Sequence, residues 1–144
     1  MPRLTKQQIL NSRPLPTEDV PVPEWAPAEF TPEEAAESFV TVRALNGRQR
    51  DAYEASNMSR DGGTYKPNWI NTRARLVGLC MVDENGKRTH TDAEVASLGE
   101  TSAAALDRVF DVCKRLAGLT PADVEEMEKN SEPAPNESSL STSA

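Results

Sequence analysis

A chain of 144 residues is about one domain long, and 37% hydrophobic, 27% charged and 5% aromatic residues supply a modest core plus some unfolded chain. No stretch approaches the ~18 consecutive apolar residues of a membrane span, and two cysteines with one histidine are too few for a disulfide scaffold or a zinc cluster. A net charge of −7 disfavours nucleic acid as a partner, because phosphate binding is driven by Lys and Arg.

Charge is laid out in blocks. Residues 1–13 carry three basic groups and no acidic ones, residues 14–42 carry seven acidic groups and no basic ones, and residues 43–75 carry seven basic against three acidic. At the chain start, Thr5 followed by Gln8 fits a capping box, so a short helix is expected from Thr5, with Leu4, Ile9 and Leu10 as its apolar side. No apolar block follows Arg3 and Lys6, so no secretory signal is expected, and the protein should stay in the cytoplasm with both thiols reduced. Seven of the eleven prolines lie before residue 33, a density hostile to helix and sheet interiors alike. Residues 13–30 therefore read as an extended, polyproline-like arm, and residues 1–38 as an N-terminal segment distinct from the domain.

Thr31-Pro32-Glu33-Glu34 starts a helix with a threonine cap, proline at the first helical position and acid near the positive helix end. Phe39-Val40-Thr41-Val42 is β-branched and short, which favours a strand. Asn46 then caps a helix toward Met58, and Arg60-Asp61-Gly62-Gly63-Thr64 breaks it as a flexible connection. The next helix begins near Trp69 and runs into Leu76 to Val82, a run so apolar that its end must be buried on most sides or turn extended. Asn85-Gly86 signals a type I′ hairpin between two very short strands. Thr91 with Glu94 forms another capping box. From Thr101 onward, Leu106, Val109, Phe110, Cys113 and Leu116 recur every three or four residues as the face of an amphipathic helix, which Gly118 ends. A further cap stands at Thr120-Pro121, and Asn130 to Ala144 is too poor in apolar residues to fold. The fold class expected is mainly α: a helical domain over residues 39–129 with one short hairpin, a Pro-rich arm before it and a disordered tail over residues 130–144.

Chemistry has few converging groups to work with. His90 is the only imidazole and sits at the surface beside the hairpin, where histidines are ordinarily inert. Cys80 and Cys113 fall on apolar stretches and read as small buried hydrophobes. Gly62-Gly63-Thr64-Tyr65-Lys66 lacks the spacing of a phosphate loop. No enzyme, cofactor or metal is expected. The basic window interleaves Arg and Lys with Tyr53, Tyr65 and Trp69, an arrangement that can stack single-stranded nucleic acid. The preferred reading is internal, with the acidic arm lying against that window. Trp25 either pins the arm to its own domain or hooks another protein; the two stand level.

Three stretches taken together resemble one family. Val42 to Glu54 is similar to its first block, Asn71 to Arg88 to its second, and Val95 to Leu119 to its third, in the order and spacing found in tail assembly chaperones of long-tailed bacteriophages and prophages. The resemblance covers roughly residues 39–128 and departs at His90 and at Gly62-Gly63. It implies a non-enzymatic role in the host cytoplasm: coating the tape measure protein, helping to recruit tail tube subunits, self-associating, and leaving before the virion is mature. A structural tail component or a small nucleic-acid regulator are the alternatives. The partner surface is expected on exposed parts of the Arg48–Met58 and Leu106–Leu116 helices. Trp25, Arg43, Arg48, Arg50, Tyr53, Arg73, Arg75 and Arg108 are the candidate contacts, although Val109, Phe110 and Leu116 read individually as core.

Overall fold

Local signals set most of the element starts. The computed structural model describes residues 1–119; the Thr120 cap and the tail from Asn130 lie outside the described residues. Thr5 caps α1 (Lys6–Leu10) in a reciprocal box with Gln8. The chain then enters β1 (Thr17–Pro21) and a 3₁₀ turn (Pro23–Trp25), and Thr31 with Glu34 starts α2 (Pro32–Ala36) in the same way. β2 (Phe39–Arg43) follows, and Asn46 with Gln49 caps α3 (Gly47–Ser56). Next come β3 (Met58–Asp61), β4 (Thr64–Pro67), α4 (Thr72–Cys80) and β5 (Met81–Val82). Thr91 and Glu94 cap a 3₁₀ turn (Asp92–Glu94) that continues into α5 (Val95–Leu98), and Ser102 caps α6 (Ala103–Leu116).

The described residues are mixed α/β, 45% helical and 18% strand with two small antiparallel sheets, which corrects the mainly α expectation. Two segments account for the difference. Residues 17–21 are not a free extended arm but an edge strand: β1 pairs antiparallel with β2 in the register Thr17↔Arg43 to Pro21↔Phe39. Its sequence, Thr-Glu-Asp-Val-Pro, has little strand propensity of its own; pairing with β2 and burial of Val20 and Val22 decide it. The Gly62-Gly63 connection is likewise ordered. Both glycines take positive φ, 60° and 89°, as a type I′ turn requires, and join β3 to β4.

At Asn85-Gly86 the turn differs in kind from the one expected. Only Gly86 has positive φ, so the turn is not type I′. The Asp83 carboxylate instead accepts from the Asn85 and Lys87 N–H groups, and the returning strand reduces to a single bridge between Val82 and Arg88.

The core lies between the three-stranded sheet, ordered β1-β2-β5, and the helices α4 and α6. Alternation puts Val20, Val22, Val40 and Val42 on the inner face, while on the outer face the Thr41 hydroxyl donates to Asp19 at 2.7 Å. α6 turns Leu106, Val109, Phe110 and Cys113 inward, as its periodicity predicts, with Leu116 packed partly buried against them. It ends in a Schellman motif: the Gly118 N–H donates to the Arg115 carbonyl, and the Leu119 N–H to that of Lys114. α4 is buried on nearly every side, and its C-terminal end turns extended into β5, which agrees with the apolar run over residues 76–82. Gly78 is required there because a Cβ would lie 2.7 Å from Val95 Cγ2, so glycine lets α5 cross α4 closely. Cys80 and Cys113 are free thiols, fully buried, brought together from 33 positions apart. Their mutual hydrogen bond, with burial, raises the Cys113 thiol far above its ordinary value.

Candidate protein-binding surfaces

Much of the basic window is committed to holding the fold. Arg75 is the clearest case. Its guanidinium donates to the carbonyls of Ser56, Asn68 and Ile70, so it clasps the chain just before β3 and just after β4. Burial lowers its pKa. Arg50 donates to the Ala117 and Gly118 carbonyls at the C-terminal end of α6, where a cation is favoured by the helix dipole, and pairs with Glu54 at 2.9 Å. Arg73 pairs with Asp107 at 2.7 Å and lies 5.7 Å from the centre of the Phe110 ring. Tyr53 is a core residue. Its hydroxyl shares a 2.9 Å hydrogen bond with Thr72, which donates onward to Asn57, and burial raises its pKa.

The carboxylates of the acidic arm form no ion pair with residues 43–75 among the described residues, contrary to expectation, although its backbone pairs with Arg43. Two of its carboxylates reach α6: Arg108 forms a bidentate pair with Glu24 at 2.9 and 2.7 Å and also donates to the Pro21 carbonyl, and Arg115 holds Glu18. The arm aligns with α6 because β1 enters the sheet beside it. The Arg108 hydrogen bonds hold the Glu24 carboxyl at about 2. Trp25 packs half-buried against the core, which favours the anchor reading; its indole N–H has no acceptor among the described residues, so apolar contact holds it. Arg43, Arg48 and Arg60 form no ion pair among the described residues. Of the eight candidates, Arg43 and Arg48 are the pair with no such commitment.

The exposed apolar residues lie elsewhere. The β3–β4 hairpin is exposed along both strands. Its register, Met58↔Pro67 and Arg60↔Tyr65, puts those four residues on one face and Ser59, Asp61, Thr64 and Lys66 on the other, where Lys66 pairs with Asp61 at 2.9 Å. One face of the exposed hairpin thus carries Met58, Tyr65 and Pro67 together with Arg60, with Tyr65 68% exposed and Ile70 beside its base at 77%. Under that base lies a cavity of about 470 Å³, lined by Tyr53, Ile70, Leu79 and Val95 among others. Its Arg75 and Asp92 are occupied by the Ser56, Asn68 and Ile70 carbonyls and by Arg88, so the remaining surface suits an apolar side chain.

A second apolar surface is a groove of about 450 Å³ between the 3₁₀ turn, α2 and the start of β2, lined by Trp25, Phe30, Phe39 and Val40 together with Glu34 and Glu37. The chain matches no family model, and no curated protein or solved structure matches it. Its surfaces therefore speak for themselves. No helix among the described residues is long and apolar enough to cross a membrane, and no group of three or more His, Cys, Asp or Glu among them could hold a metal ion.

Sequence reasoning missed Ile70, Phe30 and Phe39 as surface residues; it had Met58 only as the end of the Arg48–Met58 helix and Tyr65 only in the less preferred stacking reading. Two signals were available. Gly62-Gly63 between short polar runs marks a hairpin, and alternation with Val40 and Val42 turns Phe39 to the outer face. Of the α6 residues expected to be core, Val109 and Phe110 are buried and Leu116 is partly buried against them; the exposed residues of the helix are Ala103, Ala104, Asp107, Asp111 and Arg115.

Proposed function

We propose that this chain is a tail assembly chaperone, a non-enzymatic binding protein that covers apolar helical stretches of a tape measure protein in the host cytoplasm and helps bring tail tube subunits to it. The observation that carries the reading is the exposed cluster Met58, Tyr65 and Pro67, which shares one face of the β3–β4 hairpin with Arg60, and Ile70 beside the hairpin's base. A long apolar filament aggregates before its tube forms. Many small copies, each offering a modest apolar face, cover it reversibly, and the weakness of each contact allows release. The stretches that resemble the family, residues 42–54, 71–88 and 95–119, supply most of the scaffold here: α3, α4, β5, α5 and α6. The hairpin is held on that scaffold by Arg75.

Co-expression with the tape measure protein encoded in the same genome tests this. The filament should be soluble with the intact chain, and insoluble alone or with a Tyr65→Asp, Ile70→Asp variant, which should still fold because both side chains are exposed. Mature particles should lack the chain. A filament that is soluble alone, or particles that retain the chain in stoichiometric amounts as a structural component would be retained, would reject the proposal.

A further inference from the structure

Two exposed surfaces of this chain complement each other and leave each other uncovered. One is α1. Its five residues fall well short of the ~12–15 that an isolated helix needs in water. Leu4, Ile9 and Leu10 are 61%, 57% and 68% exposed, and no α1 residue is buried. Leu4 and Ile9 occupy the two positions of a hydrophobic staple around the Thr5 cap, so the apolar side is organised locally and faces solvent. Around it stand Arg3, Lys6 and Arg13, with no acidic group in residues 1–13.

The other is the groove over Trp25, Phe30, Phe39 and Val40. Phe39 is 59% exposed at its mouth. Residues 22–40 carry five glutamates and no basic residue. Glu24 is engaged by Arg108 and Glu34 by the Thr31 cap, which leaves Glu29, Glu33 and Glu37 on this segment, with Glu37 and the capping Glu34 lining the groove. A short helix with an apolar side and basic flanks therefore has both the shape and the charge to seat there.

Its own α1 is poorly placed to do so. The Pro16 carbonyl already accepts from the Ala44 N–H, so the chain is fixed in line with β1 from residue 16. α1 leaves from the Thr17↔Arg43 end of the sheet, whereas the groove lies beyond the Pro21↔Phe39 end. From Leu10 to Pro16 the chain spans at most ~20 Å, and from Pro16 to Pro21 it must retrace ~17 Å, which leaves almost nothing for a reversal. Pro14 and Pro16 stiffen that linker in an extended form.

We propose that α1 of one copy docks in the Trp25–Phe39 groove of a second copy. The two surfaces differ, so the contact is heterologous: each copy offers one α1 and one groove, and copies add in series until a ring closes. This holds whatever the chain's client is, and it would fail or stand independently of the chaperone reading.

Disulfide trapping tests it on the full chain, because the native Cys80 and Cys113 are buried and leave introduced thiols to react. Chains carrying only Ile9→Cys, mixed with chains carrying only Phe39→Cys under mild oxidant, should give a covalent heterodimer. Both substitutions in one chain should give a ladder that lengthens with protein concentration. Sedimentation should show intact chains above monomer mass and chains lacking residues 1–11 at monomer mass, with the deleted form still unfolding cooperatively because α1 buries nothing within its own copy. A labelled peptide of residues 1–13 should bind the deleted chain, at least about tenfold more weakly after Phe39→Lys, and more weakly as salt rises. An internal cross-link in the monomer with none in the mixture would overturn the proposal. So would monomer mass for the intact chain at every concentration.

Discussion

Arg75 carries more of the local structure than its exposed neighbours in sequence. Three backbone carbonyls, those of Ser56, Asn68 and Ile70, converge on one guanidinium at the foot of the hairpin. Hydrogen bonds to a charged group contribute about 1.5–3 kcal/mol each, and carbonyls left unpaired in a partly buried place cost a comparable amount. Arg75→Met keeps the aliphatic stem and removes every donor, so it should lower unfolding stability by about 2–4 kcal/mol in urea titration. Arg75→Lys should recover less than half of that, because an ammonium cannot fork across three acceptors. A loss below about 0.5 kcal/mol for Arg75→Met would show that the clasp is incidental. At the same scale, the sequence marked Arg75 and Tyr53 as notable but not their purpose. A basic or aromatic residue reads alike whether it faces a partner or a carbonyl.

Among the elements, β1 shows which force ties the arm down. The Glu18–Arg115 and Glu24–Arg108 pairs are open to solvent, where screening and side-chain entropy leave such pairs little net stabilisation. Burial of Val20 and Val22 contributes about 1.5–3 kcal/mol each, so apolar packing dominates and the ion pairs fix register. The pH dependence follows with a definite sign. Glu24 is lowered from 4.5 to about 2 in the folded chain. Its pair with Arg108 therefore stabilises the fold in full above pH 4.5, and that contribution fades as pH falls toward about 2. Thermal midpoints of wild type and Glu24→Gln should differ by a constant amount above about pH 5 and converge only as pH falls through about 2, with the strand still paired. A gap that widened on acidification would contradict the assignment. The β3–β4 hairpin is the opposite case: its eight residues bury almost nothing, and it stands through its Gly62-Gly63 turn and the Arg75 clasp. Two-stranded hairpins without such support are marginal in water.

In the whole molecule, one core joins segments far apart in sequence, and the cysteine pair reports on it. Cys80 ends α4 and Cys113 lies near the end of α6, both without solvent exposure. Neither should react with a thiol reagent until the core opens as a unit. Both should become reactive together at the urea concentration where helicity is lost. Labelling of one thiol well before that point would show that α4 and α6 separate locally.

Helix starts were legible because a cap is a local bargain among four residues: Thr5, Thr31, Asn46 and Thr91 each bond to a group three positions on. The inward face of α6 was legible for a similar reason, since a 3.6-residue period is visible in one segment. Strands are different. β1 exists through β2, a partner about twenty residues away, and its own Thr-Glu-Asp-Val-Pro gives no sign of it. By itself the sequence determined the caps, the α6 core face, the burial of both thiols and the block layout of charge. Only the tertiary structure decided that the arm is an edge strand, that its glutamates meet α6 rather than the basic window, and that the exposed apolar surfaces lie on the hairpin and beside Trp25. Each of those depends on which distant segments meet, and a linear pattern does not encode that pairing.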